Sequence, residues 1–261
     1  MKHILLIVSF FLTGALSGRA QIASDIASNY GGSWTNNSTA GTGFLPWNIS
    51  NNNNGGPLFA GTFIGNSTDG AGNINTSGVS FGLFANPATA FVDASRAFSL
   101  ALTTGDVFTF QLALNFDNGN KGFNIFAGSQ GQVFNFNVGG GGSVSASGNA
   151  TLSPGSGLGY NYGGNATINV NLSVTSSTQF AYNISRISET GFQGTLFSGN
   201  VTGLTQALSG FAFYVSSTGN GAAQNNLYVN NLSVVPEPST CALMAMGALT
   251  VFVLRNKRRY V

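Results

Sequence analysis

The stretch DVFTFQLALNF, residues 106–116, puts Phe108, Phe110, Leu112, Leu114 and Phe116 on one side of an extended chain and Val107, Thr109, Gln111, Ala113 and Asn115 on the other. A period of two is the mark of a strand with one covered face. NATINVNLSV, residues 165–174, repeats it, with Ile168, Val170, Leu172 and Val174 inward. AFVDASRAFSLAL, GFNIFAG, QVFNFNV, QFAYNISRI, TLFSGNV, GFAFYV and NLYVNNLSV are further runs of this kind. The segments between them, FDNGNKG, VGGGGSVSASG and STGNGAAQNN, carry turn chemistry. Between the two termini no amphipathic pattern at helical spacing stands out. Many short strands with one polar face predict an all-β fold, an antiparallel β-sandwich of jelly-roll type.

Charged residues make up only 6% of the chain, but 22 Phe supply the apolar mass that disordered sequences lack. Between Gln21 and Val235 the cations are Arg96, Lys121 and Arg186, against Asp25, Asp69, Asp93, Asp106, Asp117 and Glu189, a net charge of −3. No basic patch is available to neutralise phosphates, which argues against nucleic acid as a partner. The only histidine is His3 and the only cysteine Cys241, both in the terminal segments. The body therefore has no disulfide, thiol nucleophile, His-dependent triad or Cys/His zinc site, and no cofactor or metal is expected in it.

Residues 1–20 follow the secretory pattern: Lys2, an apolar stretch from Ile4 to Leu12, then Gly18 and Ala20 before a cut at Gln21. About nine apolar residues are too few to span a bilayer, which takes roughly 20, so a cleaved signal peptide is expected. At the other end, Ser239–Leu254 are uncharged and would reach about 24 Å as a helix, a single transmembrane segment of marginal length. Arg255, Lys257, Arg258 and Arg259 after it belong on the cytoplasmic side by the positive-inside rule. Pro236, Glu237 and Pro238 before it lack two backbone donors and have φ fixed at two positions, so they predict an extended, accessible junction. Cys241 near the membrane admits acylation, a weaker reading of that residue.

A Pro-Glu-Pro triplet, an apolar span and an Arg-rich tail in that order resemble the PEP-CTERM sorting signal of Gram-negative bacteria. The resemblance covers residues 235–261. It implies recognition by an exosortase, transient anchoring in the inner membrane through the apolar span, cleavage near the triplet and delivery to the cell surface or extracellular matrix. Pro236, Glu237 and Pro238, with the basic residues 255–259, are the sorting features it implies. Residues 21–235 are then the body, with a loop-rich first part at 21–80 and the main strands at 81–235. The latter part resembles the concanavalin A-like sandwiches of exported bacterial proteins at the level of fold.

Within the body, Tyr30, Trp34 and Trp47 sit in polar, Gly-rich sequence. Exposed on loops, such rings would hold sugar faces; otherwise they cap the core. Asp117, Asn118 and Asn120 offer oxygen ligands for calcium, though without the DxDxDG spacing, and a hairpin turn explains the same residues more cheaply. Glycoside hydrolysis takes two carboxylates held about 5–10 Å apart, and only Glu189 with Asp93, Asp106 or Asp117 could supply them. The leading expectation is a non-enzymatic surface or matrix protein with a structural, adhesive or polysaccharide-binding role. An exported carbohydrate-active enzyme is the alternative, and ice binding a third, for which regular Thr-x-Thr ladders are missing.

Overall fold

The computed structural model describes residues 22–52, 59–86, 88–139, 143–146, 165–187, 193–219 and 221–236, with backbone alone at 143–146. The signal peptide, Glu189, Glu237, Pro238, the apolar run 239–254, Arg255, Lys257, Arg258 and Arg259 lie outside the described residues. Among the described residues are fourteen strands: β1 (Ala23–Asp25), β2 (Asn48–Asn52), β3 (Ala60–Gly65), β4 (Ser80–Ala85), β5 (Phe91–Ala97), β6 (Asp106–Leu114), β7 (Asn120–Ala127), β8 (Gly131–Asn137), β9 (Ser143–Ala146), β10 (Ala166–Ser176), β11 (Gln179–Arg186), β12 (Gly194–Thr202), β13 (Leu208–Ser216) and β14 (Leu227–Pro236). They form two antiparallel sheets. One has the order β12-β11-β10-β6-β14-β4-β3, with β1 added beside β14; the other runs β2-β5-β13-β7-β8-β9.

The expected alternation is what packs the sheets together. Phe108, Phe110, Leu112 and Leu114 of β6 are buried, as are Ile168, Val170, Leu172 and Val174 of β10. Phe108 stacks against Phe211 of β13 at 4.9 Å between ring centres, and Phe110 meets Phe213 at 5.2 Å and Phe123 of β7 at 4.9 Å. Each such ring contributes roughly 1.5–3 kcal/mol by leaving water, so a Phe-rich alternation suffices for a core without disulfides. The all-β sandwich expected from the sequence is the observed architecture.

The strands of the loop-rich first part, β1, β2 and β3, belong to the same two sheets. Ala23, Ser24 and Asp25 pair with Val234, Ser233 and Leu232 of β14; β2 pairs with β5, and β3 with β4. Pro236 departs from expectation. It is the last residue of β14, in register with Asp106, rather than part of a separate junction. Proline is tolerated there because β1 reaches only as far as Val234 on the other side of β14, so no ladder bond from the Pro236 nitrogen is required.

Candidate functional site

The outer face of the six-stranded sheet is built from the polar half of each alternation. Phe91, Asp93 and Ser95 project from β5, Tyr214 and Ser216 from β13, Asn124 from β7, and Gln132 and Asn135 from β8. Asp93 lies opposite Tyr214, Tyr214 opposite Gly122, and Asn124 opposite Asn135. These strands enclose a groove of about 440 Å³ lined by Phe91, Asp93, Asn124, Gln132, Asn135, Tyr214 and Ser216 among others.

Gly122 makes this convergence possible. A Cβ there would stand 1.9 Å from the Phe136 carbonyl oxygen and 3.1 Å from the Tyr214 hydroxyl. The bare backbone lets the Tyr214 ring cross β7 toward β8. There the Asn135 amide donates to the Tyr214 oxygen at 2.8 Å and to Asn124 Oδ1 at 2.8 Å. The Tyr214 hydroxyl has the Phe136 carbonyl at 3.2 Å and Asn137 Oδ1 at 3.1 Å as acceptors. Burial, with a smaller effect of the nearby Asp93 charge, pushes the Tyr214 phenol up to about 12. Burial also raises the carboxyl pKa of Asp93. The groove thus presents a neutral phenol, amides and hydroxyls around one carboxylate, an arrangement suited to hydrogen-bonding a neutral polyhydroxylated chain.

The aromatic residues singled out from the sequence lie elsewhere. Trp34 and Trp47 are 2% and 1% exposed and pack edge to face at 5.1 Å. Tyr30 is half-buried against Phe81 and donates to Asp25 at 2.6 Å. No ring face of either Trp is open to a sugar, so the exposed-platform reading is corrected: both belong to the core. Most of residues 31–47 are exposed, and Trp34, Phe44 and Trp47 are the side chains that this loop turns into the core.

The loop at 117–120 connects β6 to β7, which belong to different sheets, so it arches across the sandwich and is not a hairpin. Gly119 has φ 68°, and a Cβ would meet the Ser216 carbonyl oxygen at 2.3 Å. The Asn118 amide nitrogen donates to the Thr218 carbonyl, and Asn120 Oδ1 accepts from Asn137 at 3.4 Å. Lys121, fully buried, donates from Nζ to the carbonyls of Phe116 at 2.7 Å and Asn225 at 2.8 Å. A lysine ammonium therefore already serves the carbonyls of this loop, and Asp117 acts on it electrostatically. Glu189 lies outside the described residues, and the three aspartates named as its candidate partners stand at separate places. Asp106 caps the turn before β6 through Thr103 N at 2.7 Å and Thr103 Oγ1 at 2.9 Å, Asp117 sits in the arch, and Asp93 alone lines the groove.

Lys121 gives the protein a distinctive alkaline response. Burial lowers its pKa from 10.5 to about 8, against a smaller opposing effect of Asp117. Between those values the folded protein has shed a proton that the unfolded chain retains, so stability rises with pH. At about 1.4 kcal/mol per pH unit the gain from pH 8 to 10 is roughly 2 kcal/mol. Tyr30 and Tyr214, both raised to about 12, reverse the trend above pH 10, because the fold then holds protons that the unfolded chain loses. Urea midpoints measured across this range should rise and then fall. In Lys121→Met the rise should vanish.

Residues 234–259 match the PEP-CTERM protein-sorting motif. No curated protein matches this chain. Among solved structures, the chain is similar to a sialidase at 12% identity, covering 75% of this chain and 17% of that one with a TM-score of 0.43. It is similar to the endo-beta-1,4-glucuronan lyase of the fungus Trichoderma reesei at 9% identity, covering 72% and 94% with a TM-score of 0.41. It is also similar to a carbohydrate esterase of the Shiga toxin-encoding bacteriophage phi24B at 12% identity, covering 74% and 90% with a TM-score of 0.43. At such identities these likenesses assign neither activity nor ligand.

Proposed function

We propose that this is an exported protein, sorted by an exosortase through its tail to the cell surface or extracellular matrix, whose body binds a neutral polysaccharide without cleaving it. The sorting motif at 234–259 supports export and processing. The observation that carries the binding reading is the groove on the six-stranded sheet, where Asn124, Gln132, Asn135, Tyr214 and Ser216 surround Asp93, the one carboxylate among the described lining residues. Hydrolysis by paired carboxylates needs a second acid across the cleft. Amides and hydroxyls favour hydroxyl-rich, uncharged chains, and a low-charge surface adds no field to attract acidic ones. Phe91, 37% exposed at the groove, offers an apolar edge for a sugar face.

One observation favours an enzyme instead. Asp93 is a carboxyl with a raised pKa in a cleft, the property a general acid requires. Affinity electrophoresis of the full chain in mild detergent, through gels containing neutral or acidic polysaccharides, separates the readings. Retardation by a neutral polymer is expected, weakened about tenfold, or ~1.4 kcal/mol, by Tyr214→Ala and to a similar extent by Asn124→Ala. Retention only by acidic polymers, or binding indifferent to both substitutions, would refute the groove. Release of reducing ends that stops in Asp93→Asn would establish the enzyme.

A further inference from the structure

Where the sandwich ends relative to the membrane is fixed by the register of β14. Val235 pairs with Val107 and Pro236 with Asp106, so the folded sheet extends into the sorting motif itself. Only Glu237 and Pro238 separate it from the apolar run that starts at Ser239. Fully extended, the path from Pro236 to Ser239 spans about 10 Å at 3.3–3.6 Å per residue. The headgroup layer on each side of a bilayer is roughly 5–8 Å deep, half the difference between its total and hydrocarbon thicknesses. With the tail inserted, the end of β14 is thereby held within a few Å of the lipid surface.

Other segments meet at this pole. Ile22 N donates to the Val234 carbonyl at 2.8 Å, Ser24 and Thr42 exchange backbone bonds at 3.0 and 2.9 Å, and Ser99 N donates to the Gly43 carbonyl at 3.0 Å. Leu100 follows directly and is 73% exposed; Leu45, bonded from its N to the Ala97 carbonyl, is 48% exposed; Val235 is 37% exposed. Three large apolar side chains therefore stand in the open at the pole where β14 ends.

We propose that this pole is a bilayer-docking surface: Leu100, Leu45 and Val235 enter the headgroup region of the membrane that receives the C-terminal run, seating the body on the lipid with the Pro-Glu-Pro junction at the interface. The proposal rests on insertion of the tail. It adds a second lipid contact beside the tail, and it sets the height at which a membrane-embedded processing enzyme meets its substrate. Aliphatic side chains with no cation among them fit the apolar boundary of the interface rather than a particular anionic headgroup.

The test uses the full chain with Cys241→Ser, carrying a single polarity-sensitive fluorophore at Leu100→Cys. It is reconstituted in vesicles of phosphatidylethanolamine with a minor fraction of phosphatidylglycerol, the acyl chains brominated close to the headgroups. Ile187→Cys is the control: it is 50% exposed, like Leu45, but its N donates to Thr167 at the start of β10, at the opposite pole. Emission from position 100 is expected to shift to the blue and to be quenched about twofold more than from position 187. Leu45→Asp should reduce that quenching while leaving the thermal melt unchanged. Failure of the chain to float with vesicles overturns tail insertion and the docking surface together. Flotation with equal quenching at both positions overturns the docking surface alone. A blue shift without bromolipid quenching means that another protein surface covers the pole, and likewise overturns it.

Discussion

Replacing Asp25 by alanine should destabilise the protein by about 3–5 kcal/mol, the range for stranding one charge of a buried pair. Asp25 lies on β1, in the larger sheet, and Arg96 on β5, in the smaller, and their side chains form a salt bridge with no solvent exposure on either. Arg96 also donates to the Leu45 carbonyl, to Tyr30 Oη at 3.3 Å and to Thr39 Oγ1 at 3.5 Å. Its guanidinium lies over the rings of Phe44 and Trp47 at 5.0 and 5.1 Å. Without Asp25 the buried guanidinium charge is left without its counter-charge. The reverse substitution is milder. Burial already raises the Asp25 pKa, opposed by Tyr30 and Arg96, so in Arg96→Met the carboxyl can take up a proton and become neutral. The two single variants should consequently differ in pH response. The cost of Arg96→Met shrinks on acidification, since a folded-state pKa above the unfolded value favours the fold as protons are added, whereas the cost of Asp25→Ala does not. Urea unfolding of both singles and of Asp25→Leu/Arg96→Met should show the double variant recovering much of the loss. Additive losses would mean that the pair is not coupled.

That ion pair also shows where sequence reasoning stops. In FVDASRA, Arg96 occupies an inward position of the alternation with Val92 and Ala94, a cation in the core that the sequence analysis did not single out. The alternation could not supply the partner, which lies 71 residues away on a strand of three residues. The apolar faces of β6 and β10 were legible because period-two alternation is a local property of a half-covered strand. Pairing is not local: β14 is joined by β1 from the start of the described chain and by β6 from its middle. The groove was hidden for the same reason. Asp93, Asn124, Asn135 and Tyr214 are each an ordinary polar residue of an alternating strand, and they meet only once β5, β13, β7 and β8 are known to be neighbours. The sorting motif was readable because it is contiguous in sequence, yet its first proline being a strand residue was not. That depends on β1 stopping at the level of Val234.

Trp47→Ala should lower stability by about 3–5 kcal/mol, the usual range for truncating a buried large aromatic, while leaving polysaccharide binding within about twofold of the original. The ring is held on every side. It meets Trp34 at 5.1 Å, Phe81 at 5.7 Å and Phe211 at 5.8 Å, and Nε1 donates to Tyr30 Oη at 2.9 Å. Tyr30 in turn bonds Asp25, so removing Trp47 strips both a cation–π face from Arg96 and an outer support from the ion pair. Trp47→Phe keeps part of the packing and loses the Nε1 donor, which should cost about 1–2 kcal/mol in the hydrogen bond together with the smaller ring. Tyr214→Ala should weaken polysaccharide binding and also lower the urea midpoint, because its hydroxyl bonds Asn135, the Phe136 carbonyl and Asn137, whereas Trp47→Ala lowers the midpoint alone. Measuring midpoints and gel retardation on the same three proteins therefore separates core from ligand surface. Loss of binding in Trp47→Ala at full stability would return the tryptophans to the role of sugar platform and remove the groove from consideration.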